Sequence, residues 1–104
     1  MQPEYSRRAL RDIDEIAELI RQDRPRAAVR FLDAVERTVK RLLRFPESAG
    51  VFESENPELA DVRATLVRGF KKYLLFYRVR HSSIAIERVL HGARDLPTIL
   101  GEHT

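Results

Sequence analysis

The side chains that could do chemistry crowd into the second half of the chain: Arg63, Lys71, Lys72, Arg78, Arg88, His91 and Arg94. Arg63 and Arg78, if held near one another, could grip a phosphate through their forked N–H donors. His91 could move a proton near neutral pH. Cutting RNA asks for such a set: a base for the 2′-hydroxyl, cations for the charge developing at phosphorus, and an acid for the leaving oxygen. Each residue also has a plainer reading. A solitary His91 next to Gly92 serves equally well as a structural hydrogen-bonder. Arg78 falls on the Leu74/Phe76 face and could anchor a partner or the second helix. Lys71 and Lys72 straddle two faces, so at most one of them joins any given site. Tyr73 and Tyr77 sit in the densest apolar run and read as core. Glu53, Glu55 and Glu58 lie in a polar stretch and read as solvated. No clear acid–base pair emerges.

These residues must be positioned by a sheet. Phe70 to Arg80 reads as a strand, with Phe70, Leu74 and Phe76 on one face and Tyr73, Leu75, Tyr77 and Val79 on the other. Apolar residues on both faces predict a central strand covered on both sides. Arg80 to Ser83 is a short polar break. Ile84, Ile86 and Leu90 then alternate with Ala85, Val89 and His91, which predicts an antiparallel hairpin. Upstream, Ala60 to Val67 alternates as a half-buried strand, and Arg68-Gly69 turns into the central one.

The first half predicts helices. Ser6 is placed to cap a helix whose stripe is Leu10, Ile13, Ile16, Ala17 and Ile20, ending near Gln22. Pro25 opens a second helix to Arg44, carrying Ala28, Phe31, Leu32, Val35, Val39, Leu42 and Leu43 on one side. So short a joint predicts an antiparallel helical hairpin. Gln2 to Tyr5 reads as a short edge strand. Glu47 to Leu59 reads as a surface loop. Asp95 is placed to cap a last turn with Pro97, Leu96, Ile99 and Leu100. The order β-α-α-β-β-β predicts an α+β fold, an N-terminal helical hairpin packed on a small antiparallel sheet.

At 104 residues the chain is expected to form a single domain, 1–104. With no Cys there is no disulfide framework or thiolate metal site, which suits a reducing cytoplasm. No cofactor and no metal are expected. No apolar run is long enough to span a membrane. Net charge is +3, carried almost wholly by arginine; it permits an acidic partner without demanding one.

Several segments together resemble a known family. They are Ala9-Leu-x-Asp-Ile-x-x-Ile16, the helix end Leu42-x-x-Phe45-Pro46, the Arg63 strand, Phe70-x-Lys-Tyr-Leu-Leu-Phe-Tyr-Arg-Val79, and Ile86-x-Arg-Val-Leu-His-Gly-Ala-Arg-Asp-Leu96. Across almost its whole length the chain resembles the RelE/ParE superfamily toxins of type II toxin–antitoxin modules. The ending His91-Gly-Ala-Arg-Asp95 looks ParE-like. The resemblance implies a toxin that causes growth arrest, as in plasmid stabilisation. It implies neutralisation by a cognate ParD-like antitoxin, which alone would contact operator DNA. A ParE-like member would inhibit DNA gyrase, with no established catalytic residues. The alternative is a RelE-like ribosome-dependent mRNA endonuclease, for which Arg63, Arg78 and His91 are the candidate catalytic groups. Two surfaces are candidates for partner binding. One is an apolar sheet face left bare by the helices, carrying Tyr73, Leu75, Tyr77 and Val79, onto which an antitoxin helix would dock. The other is the second-helix stripe Arg37, Lys40, Arg41 and Arg44, at the helix end that favours cations; its plainer reading is a solvated face.

Overall fold

The computed structural model describes residues 1–94 and 96–101. Its elements are β1 (Gln2–Tyr5), α1 (Arg7–Asp23), α2 (Pro25–Arg44), β2 (Arg63–Val67), β3 (Phe70–Val79), β4 (Ser83–His91) and α3 (Leu96–Leu100). The predicted cap of α3 at Asp95 lies outside the described residues. The Ser6 hydroxyl accepts the Ala9 N–H at 2.9 Å, which satisfies one of the orphan donors at the start of α1. Arg24 alone separates the two helices, and its N–H donates to the Ile20 carbonyl at 2.8 Å. Pro25 then opens α2, where its missing N–H costs nothing.

The buried stripes are rotated from those that periodicity predicts. Ala9, Asp12 and Ile13 are buried on α1, and Ala27, Ala28, Phe31, Ala34, Val35, Thr38, Val39 and Leu42 on α2. Leu10 and Leu32, expected in those stripes, are 50% and 44% exposed. Each stripe is turned to one side, bringing small Ala9 on α1 and Ala27 and Ala34 on α2 into the buried face.

The sheet order is β1-β4-β3-β2. β3 pairs antiparallel with both β2 and β4, whereas β1 joins β4 in parallel, so the sheet is mixed. Between β1 and β4 lie both helices and two strands, so no tight turn forces an antiparallel sense. β2 begins at Arg63, three residues later than its alternation suggests. Pro57–Leu59 forms a 3-10 turn first, with the Asn56 side chain accepting the Glu58 N–H.

Two register shifts reassign faces. One between Phe76 and Tyr77 leaves Glu87 as an extra residue on β4, so Ile84 and Ile86 share the helix side with Val89 rather than with Leu90. The other, between Leu66 and Val67, turns Phe70 to the helix side. There its ring meets Phe31 edge-on at 5.3 Å, and Tyr73 meets Phe31 at 5.6 Å. Such pairs are worth about 0.5–1.5 kcal/mol beyond burial.

Both sheet faces are covered. Beneath the helices Leu75, Tyr77, Ile84, Ile86 and Val89 form the main core with Phe31, Val35, Val39 and Leu42. On the opposite face Phe76 and Leu90 pack with Leu59 and Val62, joined by Phe52, Leu96, Ile99 and Leu100. The 47–59 segment, polar in composition, therefore seals the second face with Phe52 and Leu59.

Candidate functional site

This arrangement corrects one expected surface. Tyr73, Leu75, Tyr77 and Val79 do share a face, but it is the one the chain's own helices cover, and Leu75 and Tyr77 are wholly buried. The Tyr77 hydroxyl donates to the Pro46 carbonyl at 2.8 Å, and burial, the leading cause, raises its pKa above 10. Four apolar side chains in alternation attract whichever layer can bury them best, and here that layer is α1 and α2. No antitoxin helix can dock on this face without removing them.

The proposed nuclease residues do not meet. Arg63 pairs across the ladder with Tyr77, which places it on the helix side of the sheet. Its Nη1 donates to the Ala49 carbonyl at 2.6 Å and holds the chain after α2 in place. Arg78, one residue on from Tyr77, lies on the opposite face. Its guanidinium donates to Asp61, to the Glu58 carbonyl at 2.8 Å, and from Nε to Glu87 at 3.0 Å. His91 pairs with Tyr73. It returns to the helix side, but four residues along β3 from the Arg63 level, roughly 13 Å at about 3.3 Å per residue. Its ring meets Tyr73 edge-on at 5.3 Å, and its Nδ1 accepts the Ala93 N–H at 3.0 Å. Each of the three is thus engaged in holding a loop or turn.

The second-helix arginines divide between two places. Arg37 and Arg41 line a groove of about 290 Å³ between α2 and β2, with Thr38, Leu42, Ser48, Ala49, Thr65, Leu66 and Arg68. Arg30, Asp33, Arg37 and Arg68 border the adjoining concavity. Arg30, Arg37, Arg41 and Arg68 are exposed, and among the described residues none of them forms an ion pair. Uncompensated like charges at this spacing raise the local potential and favour an acidic partner. Arg44 lies elsewhere, over the Phe45 ring at 5.5 Å, in a hollow with Met1, Val79 and His81. Lys40 pairs with Glu36 at 3.4 Å.

The sequence does not mark Arg68 or Leu66. Arg68 reads as a turn residue, and only the strand order shows that β2 is an edge beside α2. Nor does periodicity announce Asp12, a lone acid within an apolar stripe, which is the one signal that could have found it. Its carboxylate takes Arg88 Nε at 2.7 Å, Arg88 Nη2 at 3.0 Å and the Val89 N–H at 3.0 Å. Arg88 is therefore committed to tying α1 to β4. Among the described residues no group of three or more His, Cys, Asp or Glu could hold a metal ion, and no helix is long and apolar enough to cross a membrane.

Comparison with known proteins finds both a family and solved structures. The family model described as ParE toxin of type II toxin-antitoxin system, parDE, matches residues 4–96. A solved structure titled "Chromosomal ParDE TA system from P. aeruginosa" is similar in fold, with a TM-score of 0.71 and 23% identity, over 88% of this chain and 95% of that chain. Curated proteins gave no match.

Proposed function

The chain belongs to the ParE toxin family of type II toxin–antitoxin systems, and on that premise we propose that it acts by binding, inhibiting DNA gyrase until a cognate antitoxin neutralises it. The observation that carries this reading is the dispersal of the nuclease candidates. Arg63 and Arg78 lie on opposite faces, and His91 lies about four residues along the strand from Arg63. The separation of these acid–base and phosphate-clamp candidates supports action through contact surface rather than bond-making.

The antitoxin half of the proposal draws on the arginine groove between α2 and β2. Arg30, Arg37, Arg41 and Arg68 suit an acidic polypeptide, and such a partner would bind faster at low salt. Contact with operator DNA would then come only through the antitoxin.

The test pairs two assays on the purified toxin. Supercoiling by gyrase should fall as toxin is added, and should recover when the antitoxin encoded beside the toxin gene is supplied. Primer extension on translated message should show no new cuts in the ribosomal A site. New A-site cuts with normal supercoiling would overturn the proposal in favour of a ribosome-dependent endonuclease. His91→Ala should stay fully toxic.

A further inference from the structure

At the end of α2 the chain leaves an aromatic ring in solvent. Phe45 is 54% exposed, yet its backbone is fixed. Its N–H donates to the Arg41 carbonyl at 2.9 Å, and its carbonyl accepts the Ser48 N–H at 3.1 Å. The residues after it are pinned from the core. The Tyr77 hydroxyl donates to the Pro46 carbonyl at 2.8 Å, and Arg63 Nη1 to the Ala49 carbonyl at 2.6 Å. An exposed apolar side chain is ordinary by itself. One carried on so firmly tied a turn is a platform, because little freedom remains to be lost when something stacks on it.

Around the ring lies an open hollow of about 660 Å³, within the size range of small-ligand sites. Its far rim is the β3–β4 turn, which presents Arg80 and His81. That turn is closed by the Arg80 N–H on the Ser83 carbonyl at 2.8 Å. Met1 and Val79 add apolar lining. Arg44 holds its guanidinium over the Phe45 ring at 5.5 Å. Among the described residues Arg44 forms no ion pair. Arg80 meets Asp61 only at 3.9 Å, and Arg78 holds that carboxylate more closely. Glu47 is the one acid on the lining, and it does not cancel two arginines. The hollow thus joins a flat apolar ring to cations that lack a close counter-charge.

We propose that this hollow takes an unpaired base of single-stranded DNA, stacked on Phe45, with the flanking phosphates at Arg44 and Arg80. A ring face beside guanidinium groups matches the two repeating parts of such a strand, a flat base and an anionic linker. An acidic peptide would answer the arginines and leave the ring in water. An apolar helix would cover the ring and leave the arginines buried without partners, which is costly. A duplex keeps its bases in the stack, where the ring cannot reach a base face. Stacking tolerates any sequence, so operator recognition stays with the antitoxin. The inference rests on the gyrase reading above, which brings the toxin to an enzyme that opens DNA. The test separates the two.

The chain contains no Trp, so Phe45→Trp places a single fluorophore on the platform. An oligo-dT strand of about ten nucleotides, the length one small binding site covers, should quench it saturably. The same strand annealed to its complement should bind about tenfold more weakly or worse. Phe45→Ala should lose about tenfold in affinity for oligo-dT while circular dichroism stays native. Arg44→Gln should make the log–log salt dependence shallower by about 0.7, the share of one phosphate contact. Wild-type affinity in a folded Phe45→Ala would overturn the stacking site, as would tight binding to Phe45→Trp without quenching. Oligo-U of the same length bound more tightly than oligo-dT would overturn the assignment to DNA. A toxin that slows gyrase supercoiling but binds no oligo-dT would overturn this inference and leave the gyrase reading standing. Supercoiling that the toxin leaves unaffected would remove both.

Discussion

Asp12 is the residue whose loss should be felt most. It is 7% exposed, and it joins α1 to β4 across 76 positions of sequence through two bonds to Arg88 and one to the Val89 N–H. Asp12→Ala removes the carboxylate and leaves the Val89 N–H facing a methyl group. Breaking a buried pair on one side costs about 3–5 kcal/mol. The Arg88 side chain keeps 14% exposure, so water can take up part of its charge and the lower end, about 3 kcal/mol, is expected. Asp12→Asn keeps an oxygen for Val89 while losing the charge, and should cost about half as much. Against a typical total of about 5–15 kcal/mol, the alanine change should lower the thermal midpoint by about 12 °C or more. Urea unfolding followed by circular dichroism measures it. A loss under about 1 kcal/mol, or Asn equal to Ala, would refute the idea that this carboxylate anchors the helix to the sheet edge.

Two further predictions concern stability. Tyr77→Phe deletes the bond to the Pro46 carbonyl and should cost about 1 kcal/mol, read from the urea midpoint at pH 7. Because burial raises the Tyr77 pKa above 10, folding favours its neutral form. The contribution is full below about pH 10 and is lost as pH rises through the folded value, so wild type should weaken more than the Phe variant between pH 9 and 11. Burial raises the Tyr5 pKa likewise, so a smaller alkaline loss should persist in the variant. Gly69→Ala tests the β2–β3 turn. The glycine sits at φ +82° with open space around a would-be Cβ, so the cost is backbone alone, about 1–2 kcal/mol. No loss would show that the turn can relax.

Helix positions, their caps and the β3–β4 hairpin were legible in the sequence because they depend on neighbours in the chain. Ser6, Arg24-Pro25 and the apolar spacing act over one or two turns of helix. Arg37 and Arg41 could be read as a charged stripe for the same reason. What the stripe faces could not. Each of the facts that define the site depends on residues far apart in sequence. Glu87 becomes an extra residue only because β3 and the helices must both be satisfied. The aromatic face of β3 is covered by α1 and α2 rather than left for a partner. Arg63 and Arg78 fall on opposite sides because the β2–β3 register sets Arg63 opposite Tyr77, and Arg78, the next residue along β3, points the other way.

Composition and local spacing thus settled the α+β class and the order of its elements, since backbone propensity and the period of burial are short-range quantities. The tertiary structure decided which face was buried and which arginines stood without counter-charge. Those depend on strand order and register, and contacts between distant residues, such as Asp12 with Arg88, leave no periodic trace along the chain.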